Sequence, residues 1–113
     1  MAIPSGSGTE VLKRVTLHAN SNTTTEILSG TANHIYTILS IVFCDTQGAS
    51  GTISIRVNDG SNNVYLLEDQ AHSSKETFVW NDKFVMEGDD DLDVQNTVTA
   101  GDWYVTFIDQ DWT

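Results

Sequence analysis

Sulfur, proline and positive charge are all scarce in this chain of 113 residues. Its one cysteine, Cys44, excludes an internal disulfide and a thiolate metal cluster, which suits assembly in a reducing cytoplasm. Cys44 sits in an apolar run, where an inert buried thiol is expected. Five lysines and arginines stand against sixteen acids, giving a formal charge of -11. A surface that tracks phosphates needs clustered bases to release counterions, so nucleic acid is not an expected partner. No apolar run approaches the roughly 20 residues of a membrane span, and membrane is not expected either. The opening MAIPSGSGTEVLKR lacks the apolar run of about 7 to 15 residues that a secretory signal carries, so the chain is expected to be made and used in soluble form.

Sequence signatures of catalysis are missing too. There is no nucleophile elbow, phosphate-cradling glycine loop or dinucleotide fingerprint. His18, His34 and His72 are far apart and form no HxH or HExxH pair, so no zinc site is expected. The acidic stretch MEGDDDLDVQ invites comparison with a calcium loop, but counting from Asp89 puts Val94 at position six and Ala100 at position twelve, where an EF-hand needs Gly and Glu. Its acids are expected as turn formers and solvated faces, with Gly88 as the flexible turn position and Leu92 and Val94 alternating inward. No catalytic, cofactor-binding or metal-binding residue is therefore assigned.

What the chain has is strand and turn chemistry. Thr occurs fourteen times and Ser and Asn together eighteen, with no long Leu, Ala, Glu or Lys run. TISIRVND alternates cleanly, with Ile53, Ile55 and Val57 on one side. HIYTILSIVFCD, residues 34–45, is apolar on both faces. Strict alternation puts Leu39, Ile41 and Phe43 on one face and Tyr36, Ile38, Val42 and Cys44 on the other. Such a strand is expected to be central, its second face covered by a sheet, a loop or a neighbouring subunit. Gly, Asn and Asp in DTQGASG and NDGSNN separate these runs, and WNDKF supplies a short hairpin. With VLKRVTLHA, TTEIL, VYLLE, ETFVW, FVM, LDVQN and DWYVTFID the count is about eight or nine short strands. In DWYVTFID, Trp103, Val105 and Phe107 share a face. The fold expected is all-β: one antiparallel β-sandwich of jelly-roll type over residues 11–113, preceded by an extended Ser- and Gly-rich arm at residues 1–10.

From residue 24 to 109, the order of a turn leading into a long apolar strand, TISIRVNDG, FVMEGDDDLDV and a closing aromatic strand resembles the small β-sandwich virion proteins of tailed bacteriophages. Leu28, Ser29 and Gly30 stand where the commonest form has a Val-Pro-Ala-Gly turn. The resemblance implies a noncatalytic subunit, assembled in the host cytoplasm and residing in the virion. It points to a capsid decoration (cement) protein that forms a homo-oligomer, a trimer by preference, and contacts the major capsid protein or other virion subunits. Ile3, Pro4, Val11 and Trp112 are the expected interface residues. The alternative is a tail accessory or carbohydrate-binding module, with Trp80, Trp103 and Tyr104 facing the glycan, although aromatic residues inside strands more commonly build cores.

Overall fold

A computed structural model describes residues 9–20, 22–97 and 100–112. Residues 1–8 of the expected arm, with Ile3 and Pro4, lie outside the described residues. Thr9 and Glu10 belong to the first strand and not to the arm.

Nine strands are described: β1 (Thr9–Ala19), β2 (Thr25–Ser29), β3 (His34–Asp45), β4 (Gly51–Asn58), β5 (Asn63–His72), β6 (Thr77–Trp80), β7 (Phe84–Met86), β8 (Asp91–Asn96) and β9 (Gly101–Asp111). They form two antiparallel sheets. The first runs β1-β9-β3-β6, with β7 also pairing β3, and the second runs β2-β8-β4-β5. β6 covers the C-terminal half of β3 and β7 its N-terminal half, so these two short strands share the fourth lane. The two sheets enclose one core that includes Ile38, Ile41, Phe43, Ile53, Ile55, Met86, Leu92, Val94, Trp103 and Val105.

β3 departs from strict alternation at one point. Ile38 pairs with Phe107, and the next partnered residue, Ser40, pairs with Thr106, which leaves Leu39 as an extra residue in a bulge. Because side chains alternate with period two, one inserted residue reverses the parity of everything beyond it. Tyr36 and Ile38 therefore join Ile41 and Phe43 on the core side, and all four are buried. The expected split of these residues between two faces is corrected by that single bulge. Val42 and Cys44 point away from the core together with Thr37 and Ser40.

β9 follows the expected alternation, with Trp103, Val105 and Phe107 buried. The indole N–H of Trp103 donates to Asn96 Oδ1 at 3.0 Å, which satisfies two buried polar groups at once. Its ring packs on Phe43 at 4.6 Å between centroids, and a Cβ added at Gly101 would run into the same Phe43 ring. Gly101 is thus required by close approach. Gly88, which was expected to supply flexibility, is not left-handed, and an added Cβ would lie 3.1 Å from Ala32 Cα, a tight contact that a shift of a few tenths of an ångström would relieve.

Deleting Leu39 is expected to abolish the cooperative urea transition, because Tyr36 and Ile38 would be turned out of the core. Leu39→Ala, which keeps the bulge, is expected to cost much less than Ile38→Ala, for which a loss of about 2–5 kcal/mol is anticipated.

Candidate functional surface

The two sheets present opposite surfaces to solvent. Cross-strand partners share a face, so the pairing registers read out each surface row by row. On the outer side of the first sheet, one row is Leu12, Ile108, Thr37 and Val85, and another is Thr16, Tyr104, Val42 and Val79. Between them lies Arg14, Thr106 and Ser40. Leu12 is 67% exposed, Val85 55%, Val79 50% and Tyr104 44%. The guanidinium of Arg14 lies 5.9 Å from the Tyr104 ring centroid, and Asp102 is bonded to His18 at one end of the face. A shallow hollow of about 240 Å³ lies between Leu12, Lys13, Arg14, Tyr104 and Thr106.

The outer side of the second sheet is polar and acidic. One row is Glu26, Asp93, Arg56 and Tyr65, and another is Ser29, Asp91, Asn58 and Asn63. Arg56 Nε donates to Asp93 Oδ2 at 3.0 Å, and Ser29 Oγ donates to Asp91 Oδ1 at 3.1 Å. Asp93, expected to be solvated, is buried in its pairing with Arg56. The Glu26 carboxyl is raised above its ordinary value by its hydrogen bond to Asp91, then by burial and by the Asp91 charge. At the neighbouring turn, Asp90 Oδ2 accepts the Glu87 N–H at 2.9 Å and the Asp90 carbonyl accepts the Gly30 N–H at 2.8 Å. The acidic stretch is therefore a closed turn that leads into β8. With Asp59, Ala32 and Asn33 it borders an open cleft of about 410 Å³. Among the described residues, no group of three or more His, Cys, Asp or Glu side chains is placed to hold a metal ion.

Buried carboxylates organise the two ends of the sandwich. At one end Asp109 accepts from Lys13 Nζ at 2.8 Å and pairs with His34 Nδ1 at 2.7 Å. Burial pushes its carboxyl up, but the hydrogen bonds and charges of Lys13 and His34 prevail and hold it below the usual range. At the other end Asp45 accepts main-chain N–H groups of Gln47 at 2.9 Å and Lys75 at 3.1 Å, tying together the β3–β4 and β5–β6 connections. Its burial also acts upward, and the bonds from Lys75, Gln47, Gly48 and Ala49 outweigh it, so its carboxyl is lowered.

Of the interface residues singled out from sequence, the two that are described, Val11 and Trp112, lie at the same end of the β1–β9 pair. Val11 is exposed near the start of β1, while Trp112 is partly buried just after β9, its main-chain N–H donating to the Asn33 carbonyl at 2.9 Å. The glycan-facing set is broken up. Trp103 is 1% exposed within the core, and half-buried Trp80 pairs with Ile41 on the core side, its indole N–H donating to the Asp82 carbonyl at 2.9 Å. Only Tyr104 of the three points outward, because it alone occupies the opposite parity. Leu12, Val79 and Val85 escaped the sequence reading. Their signal was the apolar residue at an outward position in VLKRVTLHA, ETFVW and FVM.

The sandwich has known counterparts. The chain is similar to a subunit of the Bacillus endospore appendages, described as a novel family of disulfide-linked pili, at TM-score 0.54 and 18% identity, covering 100% of this chain and 97% of that one. It is also similar to a pentameric capsid protein from metagenomic phage sequences, at TM-score 0.46 and 16% identity, covering 87% of this chain and 61% of that one. A chain of the cyanophage Pam1 capsid asymmetric unit matches at TM-score 0.46 and 16% identity, covering 98% of this chain and 92% of that one. The first is a likeness of fold, and the two capsid chains superimpose too loosely to bear on function. No family model matches the sequence, and neither does any curated protein.

Asp45 and Asp109 bind protons less readily in the folded state, so their stabilisation is complete above the ordinary Asp value of about 3.9 and is lost as pH falls through their lower folded values. Glu26 acts with the opposite sign, its repulsion being relieved on protonation. Melting temperature is expected to fall steeply below about pH 4. Asp109→Asn should flatten that acid limb, and Glu26→Gln should raise the melting temperature at pH 7. A scanning calorimetry series across pH checks all three.

Proposed function

We propose that the chain is a noncatalytic structural subunit of a phage virion, a capsid decoration protein that acts by contact with the major capsid protein and with neighbouring copies of itself. The observation that carries this reading is the uncovered apolar face on the first sheet of a chain of charge -11. An exposed apolar patch on so acidic a body marks a contact surface, since copies repel one another except where a specific contact prevails. The virion assignment rests on the resemblance over residues 24–109, and the strand orders support it. Eight lanes wound as β1-β9-β3-β6/β7 over β2-β8-β4-β5 fit the expected jelly roll, an architecture used by viral capsid domains.

Multivalency supplies the energetics. Each copy needs only a modest interface, and many copies together brace a shell. Residues 1–8, carrying Ile3 and Pro4, together with Val11 at the start of β1 and Trp112 after β9, are the segments proposed to reach a neighbouring subunit. A disulfide-linked fibre is a weaker reading, because a linear polymer joined by disulfides needs at least two cysteines per subunit and this chain has one. The carbohydrate-binding reading loses its platform with Trp80 and Trp103 turned inward.

Deleting residues 2–8 leaves the whole of β1, so the domain is expected to melt as before while its copy number on particles, counted by quantitative mass spectrometry, falls severalfold. Unchanged occupancy would contradict the role of the arm, and a handful of copies at one vertex would move the protein to the tail.

A further inference from the structure

We propose that the outer face of the β1-β9-β3-β6/β7 sheet docks on the same face of a second copy of this chain, giving a two-fold pair of stacked sheets. This deepens the reading of the chain as a contact-making subunit and names one of its contacts. β3 is the central strand of this sheet and is apolar on both sides, yet its outer residues Thr37, Val42 and Cys44 have no covering layer in the chain's own two-sheet fold. Around them lie Leu12, Tyr104, Val79 and Val85, all exposed.

Charge selects the occupant. A basic partner would be matched by the acidic sheet, where Glu26, Asp91 and Asp93 stand, and not by a face whose middle is aliphatic, aromatic and hydroxyl. A second copy brings an equally apolar middle, and the strand-borne acids and bases of its face, Glu10, Arg14, His18 and Asp102, all stand on the β1 and β9 lanes. Stacked this way, the two bodies meet with the Glu26, Asp91 and Asp93 surfaces on their far sides. Area allows it as well. Four lanes at about 4.8 Å and strands of about ten residues at about 3.4 Å give roughly 650 Å² before side-chain relief. That lies within the range of about 600–1,000 Å² per partner found in specific interfaces.

The registers also select the direction of the axis. Arg14 belongs to the row of Thr106 and Ser40, and the fourth lane at that level is the connection 81–83, because Trp80 pairs with Ile41 and Phe84 with Ile38. A two-fold axis along the strands lays the β1 lane of one copy over the β6/β7 lane of the other and brings Arg14 to the connection of Asn81, Asp82 and Lys83, where acid and base offset each other. An axis across the strands would set Arg14 against Arg14, which is repulsive. Two twisted sheets stacked along their strands then pack at the angle of about 30° usual for aligned sandwiches. A flat face that closes on itself gives a pair, whereas the trimer expected from the resemblance needs two different contact patches per subunit.

Sedimentation equilibrium of the purified full chain tests this. The expected mass at about 100 μM is twice the 12.4 kDa of one chain. Leu12→Asp and Val79→Asp, at exposed positions that leave the core intact, should each weaken the dimer at least about tenfold while the β-sheet circular dichroism spectrum is retained. Val64→Asp, at an exposed position on β5 of the other sheet, should change dimer affinity less than about twofold. A monomer at about 100 μM, or an oligomer indifferent to Leu12→Asp and Val79→Asp, would overturn the proposal. A monomer that still decorates particles would remove this inference and spare the virion reading. A dimer absent from particles would do the reverse.

Discussion

The pairing of β3 with β9 through a bulge at Leu39 is the constraint on which the other features depend. β3 is the one strand apolar along both sides, and without the inserted residue its large side chains would be divided between interior and surface. The bulge collects Tyr36, Ile38, Ile41 and Phe43 on one side, where they meet Trp103, Val105 and Phe107 from β9. It also determines the composition of the other side, leaving Thr37, Ser40 and Val42 as the uncharged middle of the outer surface. Core and proposed contact face are two consequences of one local irregularity.

Electrostatics reinforces the division. The second sheet and its turns carry Glu26, Asp59, Glu87, Asp89, Asp90, Asp91 and Asp93, while the first sheet's outer side pairs Asp102 with His18 and lays Arg14 over Tyr104. Buried Asp45 and Asp109 serve the fold itself, fixing connections at the two ends through N–H, ammonium and imidazole partners. A molecule built this way concentrates its acidic repulsion on one side, which is what the proposed self-contact through the other side needs. That anisotropy suits an assembly subunit better than a freely diffusing catalyst.

Much of the architecture was legible in the sequence because period-two alternation and turn residues act locally. TISIRVND and DWYVTFID folded as their patterns required, and the acidic stretch became a turn into β8. Three things were not legible. The Leu39 bulge depends on register against a strand more than sixty residues away, which no local pattern encodes. That Trp80 packs inward depends on which parity of β6 faces the second sheet. The outward apolar patch of Leu12, Tyr104, Val42 and Val79 is assembled from four segments distant in sequence, so each contributes one unremarkable residue to a surface that exists only after folding. The double-sided hydrophobicity of HIYTILSIVFCD was the one clue to it.

Hydroxyl-radical footprinting of the protein in its native assembly, compared with the isolated chain at high dilution, tests the central claim most directly. The account predicts that Leu12, Tyr104, Val79 and Val85 lose reactivity on assembly while Tyr65, on the acidic sheet, keeps it. Protection of Tyr65 with Leu12, Tyr104, Val79 and Val85 still fully reactive would contradict it.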